Sequence, residues 1–130
     1  MCENSERIIS RLPDGVEKVC STIEGYEVLV KYQGWKVAVI TYAERFDKEK
    51  LYRLEQHTGT DEVFVLLKGQ ATLYVGIEGT AVEMEPHAIY NIKCGTWHAI
   101  SVSTDALVLI CENQDTGIEN TEYIKWSPFS

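Results

Sequence analysis

From Tyr26 onward the sequence is a succession of short segments with strand character: "YEVLVKY", "WKVAVITYA", "LYRLEQH", "EVFVLLK", "ATLYVGI", "AVEME", "AIYNIK", "HAISVS" and "ALVLICE". β-Branched and aromatic residues dominate them, and Gly, Thr-Asp or Pro-His breaks separate them. No stretch of helical periodicity intervenes. Many short strands without crossover helices restrict the chain to an all-β fold, an antiparallel sandwich or barrel. Gln33-Gly34 between the first two segments reads as a hairpin turn. The charged "ERFDKEK" reads as a loop with room for one helical turn.

A chain of 130 residues fits one domain with one core. Residues 1–25 read as a lead-in segment, in which "SERIISRL" makes one or two helical turns before the Pro13-Asp14-Gly15 turn. Residues 26–126 read as the barrel. The tail "NQDTGIENTEYIKWSPFS" is polar and then aromatic, and lies back over the barrel or across a partner subunit. The runs "VFVLL" and "LVLIC" are apolar on both faces, where a strand with one wet face alternates. A second copy of the chain is a natural cover, so a homodimer is expected.

With 20 acidic against 12 basic residues the net charge is -8, and no Lys/Arg cluster stands out. That balance disfavours nucleic acid and anionic membrane surfaces as partners, since both need a basic face. No apolar run is long enough to cross a bilayer, and "MCENSERIIS" lacks the basic-then-apolar pattern of a signal peptide. A cytoplasmic protein is the expectation. Cys2, Cys20, Cys94 and Cys111 form no C-x-x-C pair and read as reduced thiols that fill space.

Chemistry concentrates in "RLEQHTGTDEVFVLLKG", residues 53–69. Side chains alternate along a strand, so Arg53, Glu55 and His57 share one face and Leu54 and Gln56 the other. If the 58–61 turn joins two paired strands, Glu62, Phe64 and Leu66 share a face, with Glu62 near His57. An imidazole and a carboxylate so placed can bind a divalent ion. A third ligand is available in "IKCGTWHAI", where His98 enters a strand after the Gly95 turn. The alternative for both histidines is an ordinary hydrogen bond in the core or at the surface. Glu55 is either a ligand or the ion-pair partner of Arg53. His87, after Pro86, reads as a solvent-exposed turn residue.

These residues resemble the cupin superfamily. Its first motif, His-x-His-x(3 or 4)-Glu-x6-Gly, is matched by Glu55-Gln56-His57, Glu62 and Gly69, with Glu55 where the first histidine stands in the family. Its second, Pro-x-Gly-x-x-His-x3-Asn, is matched by Gly95 and His98, with Lys93 and Val102 replacing the proline and the asparagine. The resemblance spans roughly residues 36–113. It implies an antiparallel double-stranded β-helix, the cupin or jelly-roll β-barrel, holding manganese, iron, nickel or zinc through His57, Glu62 and His98, with Glu55 in the remaining ligand position.

Pocket walls are expected from Arg53, Phe64, Tyr90 and Trp97, with Tyr42 and Arg45 further candidates. An inward arginine can clamp a carboxylate or phosphate or pair with one of the many acids; Arg45 is expected to pair, and for Arg53 both roles are open. The sequence holds no nucleophile elbow and no phosphate-binding glycine loop. A metal-binding protein acting on or sensing a small polar molecule follows, with isomerase, dioxygenase or lyase chemistry open to it. The other reading is a non-catalytic module for a sugar or organic acid, with or without metal.

Overall fold

The computed structural model describes residues 8–9 and 12–129. Among them are twelve strands: β1 (Ile8–Ile9), β2 (Lys18–Val19), β3 (Tyr26–Tyr32), β4 (Trp35–Thr41), β5 (Arg53–His57), β6 (Glu62–Lys68), β7 (Ala71–Val75), β8 (Thr80–Glu83), β9 (Ile89–Ile92), β10 (His98–Val102), β11 (Leu107–Asn113) and β12 (Thr121–Lys125). One five-stranded sheet has the order β12-β5-β10-β7-β8 and the other β3-β4-β11-β6-β9. Every strand-to-strand ladder is antiparallel. The all-β architecture of antiparallel sheets expected from the segment pattern is present, as is the jelly-roll barrel that the family resemblance implies. "ERFDKEK" forms two 3-10 turns, Glu44–Phe46 and Lys48–Lys50.

Alternation decides what lies between the sheets. Ala38 and Ile40 of β4, Phe64 and Leu66 of β6, Leu73 of β7, Ile100 of β10, and Val108 and Ile110 of β11 belong to one buried cluster. Further along the same inward rows the apolar residues give way to ionisable ones. Lys36, Glu112 and Glu62 lie opposite one another across β4, β11 and β6, and all three are buried. The barrel is therefore packed with hydrocarbon toward one end and with charge toward the other. Gly69, the motif glycine after β6, has φ +74, and a Cβ there would meet the Ala106 backbone at 2.7 Å. Only glycine serves both the left-handed turn and that close approach.

Two expectations are revised, and one left open is decided. Ile8–Ile9 of the lead-in pairs with β2 as a strand and is not helical; the remainder of "SERIISRL" up to Arg11 lies outside the described residues. Cys20 is buried and disulfide-bonded, not reduced, while Cys94 and Cys111 are free. Cys2 lies outside the described residues. The tail does fold back on its own barrel: β12 adds to the edge of β5, and the Trp126 ring packs 5.2 Å from that of Tyr74. Among the described residues no helix is long and apolar enough to cross a membrane.

Candidate metal centre

Both edges of β5 are taken, by β10 and β12, and both edges of β6 by β11 and β9. The 58–61 connection therefore does not close a hairpin, as the sequence suggests, but carries the chain from one sheet to the other. His57 and Glu62 still meet, because each faces the space between the sheets. Asp61 anchors this crossing: its carboxylate accepts hydrogen bonds from Cys94 N at 2.8 Å and Asn91 Nδ2 at 3.1 Å. Those bonds hold its pKa below the ordinary carboxylate range, and tie the crossing to the turn that delivers His98.

A single carboxylate oxygen organises the cluster. Glu62 Oε1 lies 3.0 Å from His57 Nε2 and 3.1 Å from His98 Nε2. The other ring nitrogens are held by the protein, His57 Nδ1 by Thr121 Oγ1 at 2.9 Å and His98 Nδ1 by the Thr96 carbonyl at 2.9 Å. The two rings stand edge to face with centroids 5.4 Å apart. Burial alone would raise the Glu62 pKa, but hydrogen bonds from both histidines and the charge of His98 bring it down to about 2. For each histidine, burial works against the charged ring, and the hydrogen bond and charge of Glu62 outweigh it, so both pKa values are raised.

Glu55 turns toward His98 Nε2, at 3.9 Å, and makes no ion pair with Arg53. Arg53 instead stacks on Tyr123, its Cζ 3.8 Å from the ring centroid. Both, with Phe64, line a cavity of about 460 Å³ that also takes in His57, Glu62 and His98. Tyr90 and Trp97 are not among its lining residues, nor is Tyr42. The Tyr90 hydroxyl accepts from Glu85 N at 2.8 Å, and Tyr42 donates to Asp47 at 2.6 Å. Arg45 lines the cavity over the Phe46 ring at 4.4 Å, without an acidic partner among the described residues. His87 is exposed.

Sequence reasoning passed over Glu112, Lys36 and Tyr26. The Tyr26 hydroxyl donates to Glu112 Oε1 at 2.9 Å, and Lys36 Nζ lies 3.6 Å from the same oxygen. Burial, and then the charge of Glu62, push the Glu112 carboxyl up to about 7. Burial and the charge of Glu112 raise the Tyr26 phenol in turn. The available signal was phase: Glu112 continues the inward row of Val108 and Ile110, where a charge is out of place unless it is used.

The donor set is compatible with a metal ion. Glu55, His57 and His98 form one group, and His57, Glu62 and Glu112 another, each with ligand atoms within 4.8 Å of one another. Nδ1 of each ring is occupied by a protein partner, which turns Nε2 into the cavity, as second-sphere bonds do for metal-ligating histidines. Glu112 Oε2 is buried and has no hydrogen-bond partner among the described residues, which fits a lone pair offered to an ion or a bound hydroxyl.

Two antiparallel five-stranded sheets with histidines and carboxylates converging inside one end of the barrel define a small cupin-fold domain, and a cupin-2 domain protein is among its solved neighbours. A cupin-2 domain protein from Shewanella frigidimarina matches with a TM-score of 0.55 and 17% identity over 69% of this chain and 80% of that one. KdgF from Halomonas matches with a TM-score of 0.53 and 16% identity, over 68% and 76%. A Streptomyces PAC13 variant with uridine matches with a TM-score of 0.63 and 8% identity, over 95% and 90%; Pac13 is described as a nucleoside dehydratase. No protein-family profile matches the sequence, and no curated protein does.

Proposed function

We propose that this chain is a metal-binding cupin that takes a small polar molecule into the charged end of its barrel, with His57, His98, Glu62 and Glu55 as the ion's protein donors. The carrying observation is the convergence of two cavity-facing Nε2 atoms on Glu62 Oε1, each ring fixed from behind. A manganese, iron, nickel or zinc ion there would polarise an oxygen of the bound molecule. Among isomerase, dioxygenase and lyase chemistries, proton transfer, as in isomerases and lyases, is the class for which side chains are at hand. Glu112, with its pKa near 7, can give or take a proton at neutral pH. Pac13, a dehydratase on a similar barrel, is consistent with this class.

Metal analysis of untagged protein tests the reading. Wild type should carry about one equivalent of ion, and His57→Ala and His98→Ala should lose it. Folded wild type that takes up none of the four metals would overturn it. One observation favours a second, metal-free reading: Glu62 already satisfies both imidazoles, so the cluster is electrostatically complete as it stands. In that case the cavity is a binding module for a sugar or organic acid.

Homodimerisation is part of the proposal. Val39, Leu109, Val65 and Ile89 line up across β4, β11, β6 and β9 on the outward face of that sheet. Val39 is buried, Leu109 and Val65 are half-buried, and Ile89 and Leu67 are exposed, at 73% and 41%. A second copy would cover the β11-β6-β9 side.

A further inference from the structure

Two guanidinium groups sit on the wall of the cavity that holds the histidines. In a chain with 20 acidic residues against 12 basic ones, an arginine is expected to find a carboxylate. Among the described residues, neither the Arg45 nor the Arg53 guanidinium forms an ion pair or a hydrogen bond. Each is held by aromatic faces instead: Arg45 over Phe46 at 4.4 Å, and Arg53 over Tyr123 at 3.8 Å and Tyr52 at 5.2 Å. Stacking fixes the plane of a guanidinium and leaves its N–H fork unused. The nearest inward acid, Glu55, is two residues from Arg53 on the same strand face and turns to His98.

Lys36, the other cation lining the cavity, is occupied. Its Nζ donates to the Thr116 carbonyl at 3.0 Å and lies beside Glu112. The cavity is thus bipolar, with acids and histidines at one end and unpaired guanidinium forks on the strand and loop that reach its rim. Arg53 and His57 are four residues apart on β5, about 13 Å at the strand rise of roughly 3.3 Å per residue. A ligand spanning that interval has one end at the histidines and the other at Arg53.

We infer that the molecule taken by this cavity is an anion, bearing a carboxylate or a phosphate that Arg53 grips through its fork while Arg45 adds charge from the loop. The inference rests on the cavity being the ligand site and narrows what enters it. Bidentate recognition is the chemistry arginine supplies and lysine does not, so Arg53→Lys is expected to lose most of the grip while keeping the charge.

Calorimetric titration of the full chain with malonate and with inorganic phosphate, at constant ionic strength set with potassium chloride, tests this. Neutral malonamide is the control, and the series is run with and without EDTA. Wild type should bind at least one of the two anions and not malonamide, and the tighter one names the headgroup. Arg53→Gln should weaken binding tenfold or more, Arg53→Lys nearly as much, and Arg45→Gln, an exposed loop change that leaves the strands intact, severalfold. Equal affinity in wild type and all three variants would overturn the clamp, as would an absence of binding by either anion. Anion binding by protein that takes up none of the four metals would support the clamp while the metal reading fails. Metal-loaded protein that ignores both anions would do the reverse.

Discussion

One oxygen, Glu62 Oε1, holds two imidazoles, and the protonation of all three groups is linked through it. Glu62, held down at about 2, contributes stability that is complete above its ordinary value of 4.5 and is lost as pH falls toward 2. Glu112, raised to about 7, loses stability as pH climbs from 4.5 to 7. The histidines, raised above 6.5, contribute below that value and lose their contribution as pH passes through their elevated pKa. Metal-free protein should therefore melt highest near pH 5 and progressively lower toward pH 8, as thermal denaturation in EDTA across that range will show. Glu112→Gln removes one of the three contributors, so its melting temperature should change less between pH 5 and 7 than that of wild type. His57, Glu62 and His98 were legible because motif spacing carries them within short segments. Glu112 was not, since its place beside Glu62 depends on the β6-β11 register, which the sequence of one strand does not state.

At the scale of elements, the strand β12 does more than close a sheet edge. It supplies Thr121, the partner of His57 Nδ1. Thr121→Val keeps the shape and removes that partner, and metal affinity measured by chelator competition should fall on the order of tenfold. Trp126, just past β12, packs over Gly79, whose φ is +67 and where an added Cβ would overlap the indole ring. Gly79→Ala should cost about 1–3 kcal/mol in denaturant unfolding, through overpacking and backbone strain. Strand existence was readable from local alternation, which each segment carries by itself. The 58–61 crossing was not, because a Thr-Gly-Thr turn looks the same whether it returns a chain to its own sheet or takes it to the facing one. Tyr90 and Trp97 were assigned to the cavity on residue type alone. Tyr90 satisfies its hydroxyl on the 85–90 loop instead, and the Trp97 carbonyl accepts from Gly76 N at 2.8 Å.

For the molecule as a whole, the doubly apolar runs "VFVLL" and "LVLIC" are the trace of an outward face that one chain covers only in part. Light scattering of the proposed homodimer should give twice the mass of 14.8 kDa, and Val65→Lys, which places a charge in the centre of the Leu109–Val65–Ile89 row, should give monomers that still fold. The centre itself draws on β5, β6, β10, β11 and β12, and the His57–Thr121 contact closes 64 positions of chain. Contacts of such separation form late, since each must wait for the intervening loop to close. During synthesis on a ribosome, His57 emerges well before the residue that fixes its ring. The proposed donors His57, Glu62 and His98 all leave the ribosome before Thr121, so under the proposed reading an ion met by the nascent chain would find a His57 ring not yet fixed from behind.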